Sequence, residues 1–208
     1  LARPAVNTTR IKIGTRVAIP GPRIAPVTAH SIASIARLAP GRVFLGIGTG
    51  HTAMRVMGMD PMKIRDFREY LRVVRGLLAG EEVEYTQDGV TRPIRFLHRD
   101  LKFVDLDAPI PIYVAANGPL ALRTAGEYAD GYISVGNEVP GVLAGQMQAI
   151  RAGAEKAGRS LPKDFQQIVI EECDKAGEAT SRKIFELEAQ VEQELKKRGM
   201  TIVEDVDL

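Results

Sequence analysis

The segment GRVFLGIGTGHTA, Gly41–Ala53, decides the fold. An apolar run from Val43 empties into Gly46, Gly48 and Gly50, and His51 follows. Apolar runs that do not alternate belong to strands covered on both faces, the mark of a parallel sheet. A strand that ends in glycines lets a ligand approach backbone N–H groups at its carboxyl end. The spacing Gly48-x-Gly50-x-x-Ala53 also satisfies a dinucleotide fingerprint formally. That fingerprint needs an acidic residue about 20 positions on, at the end of the next strand. The acids nearest that distance, Asp66 and Glu69, sit inside the strongest helical pattern of the chain, so the dinucleotide reading fails on context.

The flanking sequence repeats the same unit. TTRIKIGTRVAIP, Thr8–Pro20, reads as a strand, and PVTAHSIASIARLAPG reads as a helix stopped by Pro40-Gly41. Ile64, Phe67, Leu71, Val74 and Leu78 recur at spacings of three and four, which predicts a helix capped by Asp60-Pro61 and ended by Gly80. Asp88-Gly89 predicts a hairpin. Ile110–Val114 predicts a third core strand with a helix from Pro119, and ADGYISVG predicts a fourth strand followed by a helix. The alternation implies an α/β fold of about four parallel βα units with helices outside. After Leu161 the pattern changes to one long helix, Asp164–Arg198, and a short strand at MTIVEDV. A boundary near Arg159–Pro162 therefore separates residues 1–160 from 161–208.

Composition narrows the function. The 208 residues carry a formal charge of +2, with 45% hydrophobic and 26% charged side chains, as soluble globular proteins do. Nothing here argues for a nucleic-acid partner, and no apolar run nears the roughly 20 residues of a membrane-spanning helix. The opening lacks the apolar core of a signal peptide. Residues 161–208 hold seven basic and twelve acidic side chains, whereas residues 1–160 carry a net +7. The single cysteine, Cys173, excludes an internal disulfide and fits a reducing, cytoplasmic setting. His30 and His98 have no partners at metal-ligand spacing, and no P-loop, nucleophile elbow or CxxC occurs.

Three strand ends, GTRVAIP, GIGTGH and AANGP, share one design and should line one site. At AANGP, Asn117 and Gly118 precede a helix whose N-terminal N–H groups suit a phosphate, or else form an ordinary strand-to-helix turn. His51 reads either as an acid–base group beside a cofactor or as a surface loop histidine.

Residues 1 to about 160 resemble the bacterial luciferase-like monooxygenases, the superfamily of FMN- and deazaflavin-dependent oxidoreductases. The likeness runs in register through TTRIKIGTRV, TAHSIASIARLAPGRVFLGIGTG, FREYLRVVRGLLAGEEVEY, IPIYVAANGP and ADGYISVG. Its flavour is that of methylenetetrahydromethanopterin reductase-like proteins, which use the deazaflavin coenzyme F-420. The resemblance implies a (β/α)8 TIM barrel, here partial, and hydride transfer between a deazaflavin or FMN ring and a small organic substrate. It places a non-prolyl cis peptide and a bulge behind the ring at Arg16-Val17. Gly46, Gly48, Thr49 and Gly50 would lie beside the ring. Ala116, Asn117 and Gly118 would take the phosphate, and Val135 and Gly136 would contribute from the next strand. Where deazaflavin members often carry an acid after GIGxG, this chain has His51. Four strands cannot close a barrel alone, so the core is expected to stay open unless two chains pair as a homodimer or the sheet rearranges. The tail resembles the C-terminal end of a TRAP-type, DctP-like solute-binding protein, which implies a chimera; the alternative functions are then a TRAP-type solute-binding protein that captures a small carboxylate, or a non-catalytic chimeric fragment.

Overall fold

The computed structural model describes residues 1–97, 99–134, 140–160, 190, 191, 193, 194, 197 and 198. The chain divides into two compact units, Leu1–Ser160 and Leu161–Leu208. The first begins with helix α1 (Ala2–Asn7), strand β1 (Ile13–Gly14), helix α2 (Ala25–Leu38) and strand β2 (Val43–Gly48). Helices α3 (His51–Val56) and α4 (Ile64–Leu78) follow, then the hairpin β3 (Val83–Gln87) and β4 (Val90–Ile94). Strand β5 (Ile112–Ala115), helix α5 (Pro119–Tyr128), strand β6 (Gly131–Ile133) and helix α6 (Pro140–Lys156) complete it. In the second unit, the described residues at 190, 191, 193, 194 and 197 are helical. The rest of the expected long helix, the MTIVEDV strand, Cys173 and His98 lie outside the described residues.

The main sheet is parallel with order β1-β2-β5-β6. Its order follows the chain without reversal, and each strand is followed by a helix. A doubly wound sheet would reverse at a switch point. Winding in one sense instead makes an arc of a βα barrel, here four units of it. One face of the arc is closed: Leu45, Ile47, Ile112 and Val114 are at most 1% exposed, and Leu45 shares a cavity wall with Ile32 and Ile35 of α2. The opposite face, which a closed barrel would enclose, carries Phe44 and Tyr113, both half-buried.

The spacing of α4 explains its place. Phe67, Leu71 and Val74 are fully buried, and burying each contributes about 1.5–3 kcal/mol. Tyr70 locks α4 to its neighbours: its hydroxyl lies 2.6 Å from Thr28 Oγ1 and donates to the Arg23 carbonyl at 3.1 Å. Burial pushes the Tyr70 hydroxyl pKa up. The hairpin turns at Asp88 (φ 52°) and Gly89 (φ 78°), the two left-handed residues of a type I′ turn.

Two local expectations are corrected. Strand β1 is two residues long, where Thr8–Pro20 suggested a longer strand, because the chain bulges away from the ladder after Gly14. Asp60-Pro61 does not cap α4, which begins at Ile64 with Lys63 as its cap residue. Met62 N–H instead donates to the Thr49 carbonyl at 3.2 Å, tethering this connection to the end of β2.

At the amino ends of the strands, Asp130 ties three elements together. Its carboxylate accepts from Arg75 at 2.9 and 3.3 Å, from Arg159 at 3.2 Å and from the Ile112 N–H at 2.9 Å. Burial opposes the charge, but Arg75, the Ile112 amide and Arg159 outweigh it and lower the Asp130 pKa. A depressed carboxylate stabilises the fold above its unfolded value of 3.8, and the contribution is lost as pH falls through the lower folded value. Asp130→Asn is therefore expected to cost about 1–2 kcal/mol at neutral pH, since the group is half-exposed. Urea unfolding of both proteins as a function of pH should show that gap narrowing below pH 3.8; a constant gap would assign it to shape, not charge.

Candidate functional site

The carboxyl ends of β1 and β2 are joined by a bulge. Gly14 pairs with Phe44, and Ala18 bridges Ile47, so β1 takes four steps where β2 takes three. The extra residue throws Thr15, Arg16 and Val17 out of register. The Arg16–Val17 peptide is cis, at the position the family resemblance implies. Gly46 anchors the bulge: its carbonyl accepts from Thr15 Oγ1 at 2.6 Å and from Ala18 N–H at 2.7 Å. Ala18 then returns a carbonyl to Gly48 N–H at 3.1 Å. Gly46 has to be glycine because an added Cβ would fall on the Thr15 carbonyl.

The same two strands build a floor. Residues paired across parallel strands share a face, and alternate residues along each strand return to it. Phe44, Gly46 and Gly48 of β2 therefore lie with Tyr113 and Ala115 of β5, since Gly46 pairs with Tyr113 and Gly48 with Ala115. Large rings occupy the lower layer, where Phe44 and Tyr113 have centroids 5.2 Å apart and planes tilted by 33°. Above them the side chains shrink to Gly46, Gly48 and Ala115. The result is a shelf of small residues at the strand ends: the Thr15 carbonyl and Ile133 lie over Gly46, and Val17 walls Gly48, 3.7 Å from where a Cβ there would stand.

The connections above the shelf are held by Met54. This residue of α3 is buried and packs where Cβ atoms at Gly21 and Gly50 would stand. Gly50 caps α3 with φ 82°. His51 is thus the first residue of a short helix, not a loop residue; its side chain is exposed and makes no hydrogen bond or ion pair with a described residue. Thr49 is half-buried. At the end of β5, Ala116 is buried and its N–H donates to the Ile133 carbonyl at 3.4 Å, while Asn117 and Gly118 are exposed. Gly118 is the cap of α5 and Pro119 its first residue, and no side chain caps the helix. The leading N–H groups of α5 therefore remain available to an acceptor. Arg16, Arg23 and Arg55 are exposed after the ends of β1 and β2 without an ion pair to a described residue, which makes the mouth cationic.

The structure thus links Val17, Gly46, Gly48 and Ala116 at neighbouring strand ends, with Arg16, Gly50, His51, Asn117 and Gly118 on the connections that follow. Val135 and Gly136 lie outside the described residues. Sequence reading missed Thr15, Ala115 and Ile133; the alternation Phe44-Gly46-Gly48 was the signal that could have shown the shelf. No group of three His, Cys, Asp or Glu among the described residues could hold a metal ion, and no described helix is long and apolar enough to cross a membrane.

The luciferase-like monooxygenase family matches residues 1–170. The chain belongs to that family. It is 39% identical over 162 residues to 5,10-methylenetetrahydromethanopterin reductase of Methanolobus tindarius, covering 77% of this chain and 47% of that protein. The coenzyme F-420-dependent tetrahydromethanopterin reductase from Methanopyrus kandleri superposes with TM-score 0.59 at 28% identity, over 76% of this chain and 49% of that one. The oxygenating constituent of 3,6-diketocamphane monooxygenase from Pseudomonas putida, solved with FMN, shares the fold with TM-score 0.60 at 21% identity, over 79% and 49% of the two chains. The chain spans about half the length of the curated relatives it matches. The family match runs past Leu161, where the tail was expected to begin, and nothing in these comparisons supports the solute-binding reading or a chimera.

Proposed function

We propose that this chain carries the ring-and-phosphate part of an F-420- or FMN-dependent oxidoreductase site, serving hydride transfer with a small organic substrate. The observation that carries the reading is the shelf of Gly46, Gly48 and Ala115 behind the Arg16–Val17 bulge. A flat ring needs a surface without Cβ branches, and the family's coenzymes are flat and anionic. The ring, when bound, supplies the hydride chemistry. Val17 and the bulge back one side of it, and Gly46, Gly48, Thr49 and Gly50 let it lie close to the backbone. The uncapped N-terminus of α5, with Ala116, Asn117 and Gly118, receives the phosphate. Exposed Arg16, Arg23 and Arg55 draw anions to the mouth. The family resemblance adds Val135 and Gly136, which follow β6 in the sequence, to the proposed set.

His51, at the first turn of α3, is the proposed proton-handling group beside the ring. His51→Ala is expected to lower turnover by about 100-fold while leaving coenzyme affinity within a factor of about two. Unchanged turnover would remove it from the mechanism. The reading as a whole is tested by titrating the purified chain with F-420 and with FMN, following coenzyme fluorescence. Saturable binding of either, lost on unfolding, supports it; a chain that takes up neither refutes it. The more tightly held ring identifies the coenzyme.

A further inference from the structure

We infer that Tyr113 donates a hydrogen bond to the bound ring and makes the reduced ring the more tightly held of its two states. The inference rests on the reading of the shelf as a ring site and adds a residue to it.

Tyr113 stands on the same face of the sheet as the shelf. It pairs with Gly46 of β2 on one side and with Gly131 of β6 on the other, so neither residue beside it in register carries a side chain. Ala115, the shelf residue two places on, lies roughly 7 Å further along the strand on the same face. A flat three-ring system seated on Gly48 and Ala115 is longer than that interval, so its inward edge reaches Tyr113.

The side chain is held, but its hydroxyl is not used. Phe44 packs on the aromatic ring, with centroids 5.2 Å apart and planes tilted by 33°. Tyr113 is half-buried, and its hydroxyl makes no hydrogen bond with a described residue. The tyrosines of α4 and β3 behave differently. Tyr70 shares its hydroxyl with Thr28 and the Arg23 carbonyl, and Tyr85 donates to Gln87 at 2.6 Å. A phenylalanine would serve the contact with Phe44 equally well, without withdrawing a polar group from water. An acceptor that enters over the shelf explains the tyrosine.

The ring supplies that acceptor. Its carbonyl oxygens and ring nitrogens gain electron density when it takes up a hydride. A hydrogen bond to an atom favours the state in which that atom carries more charge. A phenol hydroxyl, as a donor, therefore stabilises the reduced ring over the oxidised one. That separates Tyr113 from Gly48, which makes room for both states alike.

Tyr113→Phe tests the inference, because it removes the hydroxyl and keeps an aromatic ring against Phe44. Oxidised and reduced FMN and F-420 are titrated into the wild-type and variant chains, and the midpoint potential of the bound coenzyme is read against a reference dye. The variant is expected to hold the oxidised ring as the wild type does and the reduced ring about tenfold less tightly. The midpoint potential then falls by about 30 mV, the equivalent of tenfold for a two-electron couple, with unchanged thermal unfolding. Tyr132→Phe, on the opposite face where Tyr132 pairs with Val114, should leave the potential where it is. A wild-type chain that binds neither coenzyme removes the ring site and this inference together. A wild type that binds, with a potential that Tyr113→Phe does not move, overturns the inference alone. An equal loss of both ring states in Tyr113→Phe does the same, as does an equal shift in Tyr132→Phe.

Discussion

Replacing Gly153 by alanine is expected to destabilise the first unit by about 3 kcal/mol, the upper end of what overpacking costs. The two helices α5 and α6 approach until backbone touches backbone. A Cβ at Gly153 would fall on the Arg123 carbonyl, and one at Gly126 on the Ile150 carbonyl and near the Ala154 amide. A side chain in the way can change rotamer, but a carbonyl inside a helix cannot move without breaking its ladder. The helices must therefore separate, and that loosens the contacts of Met147, Ile150 and Ala154 on α6 with Leu122 and Ala125 on α5, all at most 5% exposed. Alanine is the better helix former by about 1 kcal/mol, so a loss of stability would show that the contact outweighs propensity. Gly126→Ala should behave the same way, and Gly145→Ala, in open space, should be neutral or slightly stabilising. Urea unfolding of the three variants checks the ordering. Equal effects at Gly153 and Gly145 would mean that the helices do not touch there.

What the chain sequence discloses depends on how far apart the cause and its effect lie. The apolar spacing of Phe67, Leu71 and Val74 is local, so α4 was legible. So was the hairpin, whose turn needs only Asp88-Gly89. Parallel pairing followed from the unalternating apolar runs at Val43 and Ile110. The short β1 was not legible, because the ladder is broken by a bulge whose partner, Gly46, lies more than thirty residues away. Helix α3 spans six residues, too few to show a period. Asp60-Pro61 carries the chemistry of a cap, yet the Met62–Thr49 hydrogen bond holds that segment out of the helix. The Asp130 cluster draws on Arg75, Ile112 and Arg159, 55, 18 and 29 residues away. At the site, the glycines of GIGTG announced close approach but not what approaches. For Gly46 it is the chain's own Thr15 carbonyl, whereas Gly48 has only ordinary or slightly tight neighbours.

That contrast separates folding from binding at the shelf. Gly48→Val is expected to lower coenzyme affinity at least about 100-fold, roughly 2.7 kcal/mol, with a much smaller loss of stability. An added Cβ at Gly48 would stand 3.2 Å from Ala115 Cβ and 3.7 Å from Val17 Cγ2, so a shift of a few tenths of an ångström accommodates it. The two methyl groups beyond it would rise over the floor between Val17 and Ala115, where the ring is proposed to lie. Gly46→Ala attacks the fold instead, because its Cβ meets the Thr15 carbonyl and displaces the bulge. Fluorescence titration with F-420 or FMN, alongside thermal unfolding, distinguishes the two. A Gly48→Val protein that binds as the wild type does would place the ring elsewhere. If both variants lose stability and binding in parallel, Gly48 serves the sheet alone. Binding lost without stability at Gly48, and both lost at Gly46, would mark the upper shelf as the surface that meets the ring and the bulge as the wall that shapes it.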